Sequence, residues 1–361
     1  MKKHIISSVL FKNSIIQLFI IFNCLGCVTN YTATDIDEIT DILVVEGVIT
    51  DGESIITLSQ SVSLLDGEYY APIYIDNAIV YVECNDGMQW QAEPYDLNGR
   101  YTIKMGQLDL ERKYCLKIEI DKHKYCSDFS YPIKTPEIDS VFWMKSAKGQ
   151  PINIYVATHS ADDEVLFYRW SYREDWEIYS EYQIRNYPYH CWNSANSRDI
   201  LLGSAERTEF GQVTDKIFEA LPSDKRWSIL YRITVKQNAI SKRAHDYFAN
   251  IKKNAENIGS IFAPTPSELR GNIICITDPR RPVIGYIDIS TITQKTLYIS
   301  SNDVYEKPRE CEIFIFIIPP DPTVFIRYSD IGYVHISCAD CTYNGGTPLK
   351  PDDWPRYFFA T

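Results

Sequence analysis

The residues best equipped for chemistry lie near the end of the chain, where His335-x-x-Cys338-x-x-Cys341 sets an imidazole and two thiols at spacings that zinc sites use. A closed zinc site needs a fourth ligand, for which Cys311 is the available thiol, but the second ligand pair of a zinc ribbon is missing. Thioredoxin-type chemistry needs its first thiolate at a helix N-terminus, whereas Gly345, Gly346 and Pro348 indicate loop. Disulfides are the favoured reading, with Cys191 crosslinked to Cys338 or Cys341 so that the Trp192 region is pinned to the C-terminal loop. Asp162-Asp163-Glu164 offers carboxylates to calcium, yet three consecutive acids cannot all face one ion, and a solvated turn is expected. Gly-x-Ser-x-Gly, His-Glu-x-x-His, Gly-x-x-x-x-Gly-Lys and Gly-x-Gly-x-x-Gly are lacking. His123, His159, His190 and His245 are scattered and read as surface or hydrogen-bonded structural residues. The expectation is a chain without catalytic residues, metal site or cofactor.

Binding chemistry is better represented. The stretch from Phe167 to Tyr182 is dense in rings, and alternation puts Phe167, Arg169 and Ser171 on one face and Tyr168, Trp170 and Tyr172 on the other. One face is expected to join a core, the commoner use of such residues. Rings left outside, with Trp170, Tyr172, Trp176, Tyr179 and Trp192 as the candidates, combine apolar area with a polar handle and suit sugar stacking or partner docking.

The first residues set the address. A basic start at Lys2 and Lys3 leads into Ile5 to Phe11, pauses at Lys12-Asn13 and resumes as an apolar run toward Gly26. That run is about half the roughly 20 residues that a spanning helix needs, which makes it a signal-peptide core rather than an anchor. It ends in Cys24-Leu25-Gly26-Cys27, which resembles a bacterial lipoprotein box: Gly26 is small enough to expose the bond to the peptidase, Leu25 fits, and Cys24 stands where Leu is usual. Cys27 is then the lipidation site, its acyl chains contributing about 0.8 kcal/mol per buried methylene. Cys24 leaves with the leader and Cys27 takes lipid, so eight of the 10 cysteines remain, an even number that suits disulfides in an exported chain.

Charge and composition agree with a folded, exported protein. The 361 residues carry 36 Lys+Arg against 48 Asp+Glu, a net charge of −12, which becomes −15 once Lys2, Lys3 and Lys12 are removed. No basic run offsets this, so nucleic acid is a poor partner. At 45% hydrophobic and 13% aromatic the chain is too apolar for disorder.

The elements that must position these residues read as strands. Leu43 to Ile49, Ser54 to Leu58, Ala78 to Val82, Met88 to Ala92 and Tyr101 to Lys104 are separated by Asp51-Gly52, Asn85-Asp-Gly87 and Asn98-Gly99, and Asx-Gly pairs tolerate the positive φ of tight reversals. Tyr114, Leu116, Ile118 and Ile120 alternate with polar or small neighbours, the period of a strand with one buried face. After Pro132 and Pro136 the pattern restarts, with strand-like runs at Ile152 to Thr158, Val165 to Arg173, Trp176 to Ile184, Trp227 to Lys236, Val283 to Ile289, Lys295 to Ser300, Cys311 to Ile318 and Tyr333 to Cys338. Residues 241–258 differ: Ala244, Tyr247, Phe248, Ile251, Ala255 and Ile258 follow helical spacing, with Ser241 at the N-cap and Gly259 at the end. The expected fold is mainly β, an N-terminal immunoglobulin-like or transthyretin-like antiparallel sandwich followed by a second β-sandwich carrying one amphipathic helix. The divisions are 1–26 (signal peptide), 27–40 (tether), 41–134 (first sandwich) and 135–361 (second sandwich).

Several segments in order resemble the Bacteroidota outer-membrane lipoproteins grouped as domain of unknown function 4249. They are the lipobox, Leu43-Val-Val-Glu-Gly-Val-Ile-Thr-Asp51, Thr135-Pro-Glu-Ile-Asp-Ser-Val141, Cys191-Trp192 with Ile200-Leu-Leu202, Tyr247 through Phe262 and Pro266, Gly271-Asn272-Ile273 with Gly285-Tyr286, and Cys338-Ala-Asp-Cys341 with Gly345 to Pro351 and Trp354. The resemblance implies a lipid-anchored protein encoded near TonB-dependent outer-membrane receptors, and it brings no catalytic residues. The acids that surface-export signals place directly after the lipidated cysteine begin here only at Asp35, so the membrane is better specified than the face. The expected role is a non-catalytic binding accessory of a TonB-dependent receptor. An adhesin or structural lipoprotein is the first rival and an uncharacterised hydrolase the second.

Overall fold

The structure, a computed structural model, describes residues 42–61, 72–160, 165–208, 211–256, 270–306, 311–316, 320–330 and 332–355. The leader, Cys27, the tether and Asp162 to Glu164 lie outside the described residues. Two sheets enclose a first core. Leu43–Ile49, Gly52–Gln60 and Arg100–Gly106 form the body of one, and Ile79–Cys84, Tyr114–Ile120 and His123–Ser127 that of the other. Alternation decides which side chains face inward: Ile49, Ile56, Leu58, Val82 and Ile103 are 0% exposed, and burying each such side chain contributes about 1.5–3 kcal/mol. Gly52, Gly87 and Gly99, at the three Asx-Gly reversals, take φ of 78°, 91° and 65°, conformations that a side chain disfavours.

This first sandwich is completed from far along the chain. Ile273–Cys275 pairs antiparallel with His123–Ser127, while Val283–Gly285 and Asp288–Ile289 pair parallel with Leu43–Ile49. Residues 273–289, expected within the second sandwich, therefore supply an edge to each sheet of the first, and Ile273, Cys275, Ile287 and Ile289 sit in its core. The expected single run from Val283 to Ile289 is two short strands, and the junction is tight: a Cβ on Gly271 would lie 1.6 Å from the Gly285 carbonyl oxygen. Asn272 holds it, donating from Nδ2 to the Ile287 carbonyl (2.8 Å) and accepting at Oδ1 from the Ile287 N–H (2.9 Å).

The second sandwich packs a sheet of Ile138–Lys145, Ile152–Thr158 and Val213–Ala220 against one ordered His190–Asn196, Phe167–Tyr179, Leu230–Ala239 and Ile292–Ser300, with Leu201–Ser204 also alongside Phe167–Tyr179. Ile154, Val156, Tyr168, Trp227, Tyr231 and Val235 fill the space between. The runs expected as two strands, from Val165 and from Trp176, are one strand of 13 residues. Its polar middle survives burial because Glu174 accepts from Arg226 (2.9 Å) and from the Tyr231 hydroxyl (2.7 Å), and Asp175 pairs with Arg173 and Arg232. The helix is Lys242–Glu256, started by Ser241, whose Oγ accepts the Ala244 N–H at 3.1 Å. Ala244, Tyr247 and Phe248 bury its apolar face against Phe167 and Tyr286. A small sheet of Phe314–Ile315, Gly332–His335 and Phe325–Arg327 follows; of the run expected from Cys311 to Ile318, residues 314 and 315 pair and residues 317 and 318 lie outside the described residues. The described residues group as one compact unit, and no helix among them is long and apolar enough to cross a membrane.

Candidate binding cleft

The thiols of the C-terminal motif are used in disulfides, as expected. Cys191 is bonded to Cys341 and Cys311 to Cys338, so both thiols of the Cys-x-x-Cys pair are consumed, and His335 turns its Nδ1 to Ser337 (2.7 Å). Among the described residues no group of three or more His, Cys, Asp or Glu is placed to hold a metal ion. The Cys191–Cys341 bond ties the His190–Asn196 strand to the C-terminal loop. Trp192 and Thr347 exchange backbone hydrogen bonds at 2.8 Å beside it, and Glu177 accepts from the Trp354 indole (3.1 Å) and meets His190 (2.6 Å). Arg232 bridges Asp175 to Asp353.

These contacts correct the aromatic candidates. Trp170 is 2% exposed in the second core with its indole N–H on Gln237 (2.7 Å), and Trp192 is 7% exposed beneath the stapled C-terminal segment. Tyr172 and Trp176 are half-buried, packed at the margin of the same core. Tyr179 alone of the five is well exposed, stacked on Tyr189 (5.1 Å). The physical reason is coverage of both faces of the long strand, one by the opposing sheet and the other by the helix and the C-terminal segment. The scattered histidines have local partners: His159 meets Asp139 (2.8 Å), His190 meets Glu177, and the His245 ring lies 4.8 Å from that of Phe167.

What the folding leaves open is a cleft of about 430 Å³ where the first sandwich meets the second. Glu46, Thr50 and Ser54 line it from one side, and Arg169, Lys236 and Asn238 from the other. Arg169 projects from the face of the long strand opposite to Trp170, and its guanidinium lies over the Phe248 ring at 4.1 Å. Burial pulls its pKa down, partly offset by the negative charges of Asp288 and Glu46, yet it forms no ion pair among the described residues. Asp288, 7% exposed, lines the same cleft, takes a long contact from the Ser241 hydroxyl (3.4 Å), and is pushed by burial up to about 7. A largely desolvated guanidinium with carboxylates nearby but no close ion pair among the described residues leaves donor capacity that a ligand can use. The arrangement suits a small polar ligand, whose anionic group Arg169 can hold. Neither Arg169 nor Asp288 stood among the candidate site residues. The available signal was an arginine set between Tyr168 and Trp170 in a strand that had to be covered on both sides.

A match over residues 29–296 to the family described as "Domain of unknown function (DUF4249)" shows that the chain belongs to that family. No curated protein matches it. Among solved structures, one titled as a cytokine receptor complex, crystal form 1A, aligns at 9% identity and TM-score 0.20 over 54% of this chain and 84% of that one. A second, titled for manganese lipoxygenase of Gaeumannomyces graminis and partial zonadhesin of Komagataella pastoris, aligns at 7% identity and TM-score 0.18 over 57% and 90%. Likeness at that level carries no argument about fold or function.

Proposed function

We propose that this protein is a lipid-anchored, outer-membrane binding protein without catalytic activity, tethered at Cys27 and serving as accessory to a TonB-dependent receptor. The observation that supports the reading is the polar cleft holding Arg169, which has no ion pair among the described residues, on a chain whose disulfides Cys191–Cys341 and Cys311–Cys338 suit an oxidising compartment. The lipobox supplies the anchor and the family's genomic company supplies the partner class. Purification of the tagged protein from native membranes in mild detergent tests the partnership: a large β-barrel protein is expected to accompany it. Recovery of lipidated monomer alone sinks the accessory role and leaves the adhesin or structural reading. The cleft is tested by Arg169→Met. Removal of an unpaired buried charge is expected to leave stability within about 1 kcal/mol, whereas a loss of several kcal/mol in denaturant titration marks Arg169 as a structural residue.

A further inference from the structure

Four described cysteines stay outside the two disulfides, and they differ in kind. Cys84 and Cys275 are 1% exposed and belong to the first core, where each behaves as a small apolar side chain. Cys115 and Cys126 lie elsewhere. Their strands, Tyr114–Ile120 and His123–Ser127, are neighbours, and because Lys117 is opposite Cys126 in register, Cys115, Lys117 and Cys126 share the sheet face that points away from the core. The sulfurs are 3.7 Å apart, Cys115 fully buried and Cys126 half-buried. The Lys117 ammonium, itself paired with Glu83 at 3.4 Å, faces both thiols.

We propose that Cys126 and Cys115 form an exchange-active dithiol, Cys126 attacking external disulfides and Cys115 resolving the product. The Cys126 thiolate displaces one sulfur of a disulfide R–S–S–R, forming Cys126–S–S–R and releasing R–S⁻. Cys115 then attacks the Cys126 sulfur, its proton passing to the second departing R–S⁻. The protein dithiol is oxidised by two electrons, and the acceptor becomes two thiols. The sulfurs must close from 3.7 Å to the roughly 2.0 Å of a disulfide. Electrostatics divides the roles. The S–H···S contact with Cys115 and the Lys117 charge hold the Cys126 thiol down to about 7, while the same contact and burial push Cys115 up.

Oxidised glutathione is the probe, used on the full chain purified from membranes after mild reduction that spares Cys191–Cys341 and Cys311–Cys338. Wild type is expected to gain a Cys115–Cys126 linkage in peptide maps while Cys84 and Cys275 stay alkylatable after denaturation. Cys115→Ser is expected to accumulate the glutathione adduct on Cys126, and Cys126→Ser to form neither product. Lys117→Met, which leaves the buried sulfur in place, is expected to slow adduct formation roughly threefold to fivefold at pH 7. Wild type that retains both thiols, or an adduct rate that Lys117→Met leaves unchanged, overturns the proposal.

Discussion

Asp288 illustrates how a single buried group makes a measurable signature. Burial lifts its pKa from the ordinary carboxylate range to about 7, so the folded chain holds this proton more tightly than the unfolded chain does. Between the two values the native state binds more protons, and stability must fall as pH rises. The contribution is complete below about pH 4 and is lost as pH passes through about 7. Asp288→Asn is expected to flatten this part of the stability profile, by about 1–3 kcal/mol between pH 5 and pH 8 in urea titrations; an unchanged slope contradicts the assignment. Trp170 makes the opposite kind of prediction. Its ring fills the second core, so Trp170→Ala is expected to cost about 3–5 kcal/mol, where a surface sugar-stacking residue would cost almost nothing. At this scale the sequence was legible in the thiols and less so in the rings. Composition identified the aromatic stretch, but its burial was decided by long-range packing, one face against the opposing sheet and part of the other against the C-terminal segment held by the Cys191–Cys341 bond.

Among elements, the hairpins of the first sandwich were readable because each is local: an Asx-Gly turn between alternating runs specifies both its strands and its register. The helix was readable for the same reason, through Ser241 and the spacing of Ala244, Tyr247 and Phe248, although Ala255 is exposed, while Ile258 and Gly259 lie outside the described residues. The strands from 273 to 289 were not assigned to the first sandwich, since their partners at Leu43–Ile49 and His123–Ser127 are set by long-range pairing that no local pattern encodes. The junction glycine tests their importance. Gly271→Ala places a methyl against the Gly285 carbonyl with only backbone to yield, and a loss of more than about 2 kcal/mol is expected. A neutral result shows that this edge rearranges freely.

For the whole molecule, the two sandwiches are interlaced rather than serial. The chain leaves the first after about residue 134, builds most of the second, and returns to close the first before adding Ile292–Ser300 to the second. A fragment of residues 42–134 therefore lacks an edge strand on each sheet, and it is expected to show no cooperative unfolding transition. Cooperative unfolding of that fragment contradicts the interlaced description. The same interlacing sets Glu46 and Asp288 opposite Arg169, so the cleft exists only when both sandwiches are complete. The proposed role depends most heavily on that cleft being used at the membrane. Its most direct test is native mass spectrometry of the protein extracted from its own membranes in mild detergent. The expected result is one lipidated chain in complex with a β-barrel receptor, a complex that Arg169→Met leaves folded but changes in bound small ligand. A spectrum containing only the lipidated single chain, identical for wild type and Arg169→Met, contradicts it.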